Sequence, residues 1–146
     1  MLMDASNQFS AAQAITATAA STNVVDLGIS RDISDGATDN LYLLCEVIAA
    51  FTAGGAATLQ VQVQTAPDNG SGLPGSYTTL FQSDTLAVAA LVAGLRILPG
   101  ALLGPTQRFV RLNYVVATGP MTAGTLTAAL VPALDVQPTY ARGYTA

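Results

Sequence analysis

The chain has 146 residues, and its charges are five arginines, eight aspartates and one glutamate, with no lysine, histidine or tryptophan. That is 10% charged, against about 25% in an ordinary soluble domain. Such a chain has no histidine base or metal ligand and no lysine for a Schiff base or a phosphate loop. Its net charge of −4 leaves no basic face for nucleic acid or an anionic membrane, and its apolar content argues against disorder.

The opening MLMDASNQFS has no basic region followed by an apolar stretch, so no secretory signal is expected. Residues 1–11 read as a short N-terminal arm, with Phe9 in it as a candidate partner contact. Residues 13–19 and 23–27 are predicted short strands, the second closed by Gly28. Residues 30–40 form a polar loop carrying Asp32, Asp35 and Asp39. Clustered carboxylates suit calcium, but the spacing is not that of a known calcium loop, and aspartates in a solvated turn are the simpler reading.

Residues 40–52 predict a long central strand, apolar on both faces. Cys45 lies inside it and reads as a small buried hydrophobe. Ala53-Gly54-Gly55-Ala56 carries the signal of a hairpin turn, since glycine tolerates φ > 0. The next segment, TLQVQVQT at 58–65, is the clearest strand: Leu59, Val61 and Val63 point one way, Gln60, Gln62 and Gln64 the other.

Gly70-Ser71-Gly72-Leu73-Pro74-Gly75 matches the spacing of a dinucleotide fingerprint. That fingerprint works only where a helix begins at the glycines, and Ser76-Tyr77-Thr78-Thr79 begins none, so a long hairpin loop is expected. Asn69-Gly70-Ser71 is a formal glycosylation triplet and reads as chance. Residues 78–83, 90–98, 108–118 and 124–131 complete the predicted strands, separated by proline and glycine turns. Residues 85–104 and 112–134 are apolar, but charge, proline and glycine breaks make each a strand pair instead of a membrane span. In 108–118, Val110, Leu112 and Tyr114 share a face with Arg108, while Arg111 and Asn113 fall on the other. Both arginines are expected in structural ion pairs with Asp26, Asp84 or Asp135.

Residues 136–146 form a predicted C-terminal arm. Tyr140, Arg142 and Tyr144 in it are the residue types favoured as interface anchors. The pattern is all-β, a jelly-roll β-sandwich of about eight antiparallel strands in one domain spanning 1–146. Sheet edges need guarding, commonly by lysine or other charges. A chain without lysine is expected to bury its edges in an assembly.

Several segments, in order along the chain, resemble one family. They are DASNQFSAAQAITATAASTNVVDLG at the start, NLYLLCEV from Asn40, GAATLQV from Gly55, ALVAGLR from Ala90, RFVRLNY from Arg108, AGTLTAALV from Ala123 and QPTYARGY from Gln137. They resemble the capsid cement (decoration) proteins of tailed bacteriophages, of the Bordetella-phage type. The resemblance implies a jelly-roll protein made in the host cytoplasm and bound to the outer surface of an icosahedral head. Its implied partners are the major capsid protein and itself, as a homodimer on two-fold positions or, second, a trimer on three-fold positions. It implies no enzyme activity, no cofactor, no nucleic acid and no membrane. A carbohydrate-binding β-sandwich is the alternative, weakened by the absence of tryptophan.

Overall fold

The computed structural model describes residues 4–32, 41–98, 101–102 and 104–132. The strands, in chain order, are β1 Gln8–Ala14, β2 Ala19–Ala20, β3 Val25–Asp26, β4 Arg31–Asp32, β5 Leu41–Ala53, β6 Thr58–Ala66, β7 Thr78–Gln82, β8 Leu86–Ala87, β9 Ala101–Leu102, β10 Pro105–Thr106, β11 Phe109–Ala117 and β12 Met121–Pro132. Six of the twelve are two-residue pieces, so the long strands carry the architecture.

Two antiparallel sheets face each other. The first has the order β1-β12-β5-β9, and the second β2-β11-β6-β7, with β3 also on β11 and β8 also on β6. The chain is an all-β antiparallel sandwich. The crossings follow from the pairing: β5 pairs with β12 and β6 with β11, so both β5–β6 and β11–β12 step from one sheet to the other. The two segments run side by side as a ribbon folded over the core, which is the jelly-roll course.

This corrects the expected hairpin at Ala53-Gly54-Gly55-Ala56. The glycines there carry the chain across the sandwich, and β5 and β6 are not partners. A glycine turn is needed in either case, so local sequence does not distinguish them.

Alternation decides the core. Leu43, Cys45 and Val47 of β5, Leu126, Ala128 and Leu130 of β12, Leu59, Val61 and Val63 of β6, and Val110, Leu112 and Tyr114 of β11 all join one buried cluster. On the opposite face of the first sheet, Leu44, Ala129 and Val131 form a second buried cluster, which explains why β5 reads as apolar on both sides. Cys45 is buried, and burial pushes its thiol up to about 12, so no thiolate is available at neutral pH.

Three further expectations are corrected. The N-terminal segment is not an arm from 1 to 11, because β1 starts at Gln8 and pairs with β12 through two irregularities. The predicted strand at 13–19 is displaced for the same reason: β1 ends at Ala14 and bends follow. Residues 90–98 are not a regular strand. A short 3-10 turn at Val88–Ala90 and a positive φ at Gly94 break them. They still line the edge of β5, where Val47 N–H donates to the Leu95 carbonyl (2.9 Å) and Ile97 N–H to that of Cys45 (2.8 Å).

Candidate interaction surface

Of the expected contact residues, Phe9 is placed in the hydrophobic core with no exposed surface. It is therefore a packing residue of β1, not a partner contact, because pairing with β12 turns its ring inward. Tyr140, Arg142 and Tyr144 lie outside the described residues, as do Asp35 and Asp39; Asp32 is described only as part of β4. Among the described residues, no three His, Cys, Asp or Glu side chains come together in a way that could hold a metal ion.

The glycine-rich loop between β6 and β7 is a loop, as expected. Asp68 organises it: its Oδ1 accepts from the N–H groups of Gly70 (2.8 Å) and Gly72 (2.9 Å), both at positive φ. Asn69 Oδ1 accepts from Ser71 N–H in the same manner. These backbone amides are spent on the loop's own side chains, and β7 follows.

Arg108 ties this loop to β3. Its Nε and one terminal nitrogen donate to the two Asp26 oxygens at 2.9 Å, and the other terminal nitrogen to Asp68. The Arg108 hydrogen bonds, helped by Gly28 N–H, lower the Asp26 carboxyl from 3.8 to about 2. The N–H groups of Gly70 and Gly72, then the charge of Arg108, hold Asp68 below the usual carboxylate range. The expected ion pair of Arg108 with Asp26 is present, and Asp68 is the partner that sequence reasoning missed.

Arg111 is a different case: its expected ion pair with Asp26 or Asp84 is not formed, and Asp135 lies outside the described residues. Among the described residues it meets no carboxylate. Its guanidinium stacks on Tyr77, 3.6 Å from the ring centroid, and its Nε donates to Gln64 Oε1 at 2.9 Å. Tertiary register places it there, since Arg111 sits directly opposite Gln64 and Asn113 opposite Gln62.

From Gln64 a chain of amides crosses the outer face of the second sheet. Gln64 Nε2 donates to Gln62 Oε1 (3.3 Å), which also accepts from Asn113 Nδ2 (3.2 Å). Gln62 Nε2 donates to Gln82 Oε1 on β7 (3.1 Å). Each bond fixes the orientation of the next amide, and the cross-strand ones, Gln62 with Asn113 and with Gln82, stabilise a sheet by about 0.2–1 kcal/mol each. The face is thus polar and ordered around Gln62 and Gln64, and it carries the Arg111 charge. The period-2 run TLQVQVQT announced the glutamines, but only the β6–β11 register shows which of them Arg111 and Asn113 meet.

Fold and face together define the class: an antiparallel jelly-roll sandwich whose second sheet presents an ordered amide surface. A family model, Bbp16, matches residues 9–130. The chain belongs to this Bbp16 family, a Bordetella phage protein family. A search of curated proteins finds no match.

Proposed function

We propose that the protein is a structural virion component: a cement or decoration protein on the outer surface of an icosahedral phage head. It bridges neighbouring major-capsid subunits and adds contact area across their joints. The observation that carries this is membership of a phage protein family over residues 9–130, on a chain whose fold is a sandwich. The role is mechanical and needs no catalysis. The protein acts as a homo-oligomer, a dimer first, with the rigid sandwich as its body and the C-terminal residues Tyr140, Arg142 and Tyr144 reaching a neighbouring subunit.

The placement of two tyrosines supports this over the carbohydrate-binding alternative. Sugar sites stack their ligand on exposed aromatic faces. Tyr77 has Arg111 on its ring, and Tyr114 is fully buried.

The test is cosedimentation with purified phage heads lacking the protein. Saturable binding at a fixed ratio to the major capsid protein is expected, and deletion of 136–146 should weaken it. That deletion spares every described strand, since β12 ends at Pro132. Failure of the full-length chain to bind would overturn the cement role. Full occupancy by the truncated chain would overturn the part assigned to the tail.

A further inference from the structure

We infer that Arg111, held flat on Tyr77, is a docking point for an aspartate or glutamate side chain on the outer surface of the phage shell. This rests on the cement role proposed above and names the face that does the docking.

The first ground is the contrast among arginines. Arg96 pairs with Glu46 and Arg108 with Asp26 and Asp68. Among the described residues, Arg111 has the Gln64 amide oxygen and the Tyr77 ring and no carboxylate. Its Nε is engaged, and its two terminal nitrogens are the donors that remain for an incoming group. A guanidinium presents a planar fork that matches a carboxylate with two parallel hydrogen bonds.

The second ground is that the side chain is already ordered. Arginine carries a large rotamer entropy, which association must remove. Here the stack on Tyr77 and the bond to Gln64 have removed much of it in the unbound chain. The amides alongside are ordered too, each oriented by its neighbour.

The third ground is charge complementarity. The chain as a whole carries −4, yet Gln60, Gln62, Gln64 and Asn113 around Arg111 are neutral. The carboxylates at the Phe109 end of this face, Asp26 and Asp68, are engaged by Arg108, so the Arg111 fork is left to an incoming carboxylate. A single cation does not make a phosphate-backbone site, which neutralises several phosphates at once. A protein carboxylate is the occupant that one preordered fork fits.

The experiment measures binding to purified heads lacking the protein for the full-length chain and for Arg111→Lys, Arg111→Gln and Tyr77→Ala. Arg96→Gln, on the opposite sheet, is the control. Light scattering follows the oligomeric state of each, and thermal melts report folding. Arg111→Lys keeps the charge but loses the fork and the stack.

The two Arg111 variants and Tyr77→Ala should weaken head binding about tenfold or more, with oligomeric state and melting temperature close to those of the parent chain. Arg96→Gln should bind as the parent does. Arg111→Lys and Arg111→Gln binding as well as the parent would overturn the inference and leave the cement role standing. Loss of self-association in these variants, with head binding otherwise intact, would assign the carboxylate to a second copy and overturn the capsid assignment. No binding by the parent chain would overturn the cement role and, with it, this partner.

Discussion

Ser10 and Tyr114 are the clearest polar tie between the two sheets. Ser10 Oγ on β1 donates to Gln13 Oε1 (2.6 Å), so the Tyr114 hydroxyl on β11 donates to Ser10 Oγ (2.7 Å). Gln13 passes the connection on, donating to the Ala20 carbonyl and accepting from Thr22 N–H. The directions make an unequal prediction. Tyr114→Phe removes one donor and should cost about 1 kcal/mol. Ser10→Ala strands a buried phenol and should cost more, about 1–3 kcal/mol. The double variant should fall near Tyr114→Phe, because nothing is then left unpaired at the phenol. Urea unfolding of the three variants measures this. A second residue-scale prediction concerns acid. Asp26 has a folded value near 2 against 3.8, so its carboxylate favours the folded chain. That contribution is complete above about pH 4 and is lost as the pH falls toward 2. Thermal melts should drop across this window, and Asp26→Asn should flatten the drop. An unchanged slope would show that the Arg108 cluster carries no stability.

At the scale of the elements, the bulge in β12 sets the packing of the ribbon. Register shifts occur between Met121 and Leu126, and Gly124 there has φ +137 with the Phe51 ring against it. A β-carbon at Gly124 would overlap that ring. Gly124→Ala should therefore lower stability by about 1–3 kcal/mol through overpacking, with its positive φ adding to the loss, as read by denaturant melts. Gly54→Ala, with open space around its β-carbon position, should be much milder. The elements also divide what a single sequence can convey. β6 was legible because its neighbours force one face in and one out. The course of β5 into β6 was not, because Gly54-Gly55 serves a hairpin and a crossing equally well. Residues 90–98 misled because Leu91, Ile97 and the partly buried Leu95 are apolar for contact with the β5 edge and the core, while Gly94 and the 3-10 turn prevent a regular strand. Phe9 misled because its partner, β12, lies more than a hundred residues away.

For the whole molecule, scarcity of charge carries less than edge logic first suggests. The β5 edge is lined by residues 91–97 and β9, β1 is irregular, and β11 is lined by the pieces β2 and β3. Short strands, bulges and covering segments guard edges as well as lysine does. Among the described residues, β7 pairs on one side only, with an irregularity of its own. The few described charges are used locally: Glu46 with Arg96, and Asp26 and Asp68 with Arg108. The amide face around Arg111 is the surface proposed above for a partner. Alternation and turn signals made the all-β class legible, and composition the missing histidine and lysine chemistries. The face needed the β6–β11 register, which alternation within either strand does not specify. The proposed place of this sandwich on the outside of a phage head is open to one decisive measurement, a density map of the intact particle. Density for the two-sheet body is expected on the outer capsid surface, at the joint between major-capsid subunits, with the β6–β11 face toward the shell. Density for it in the tail or inside the head, or none in the mature particle, would rule that place out.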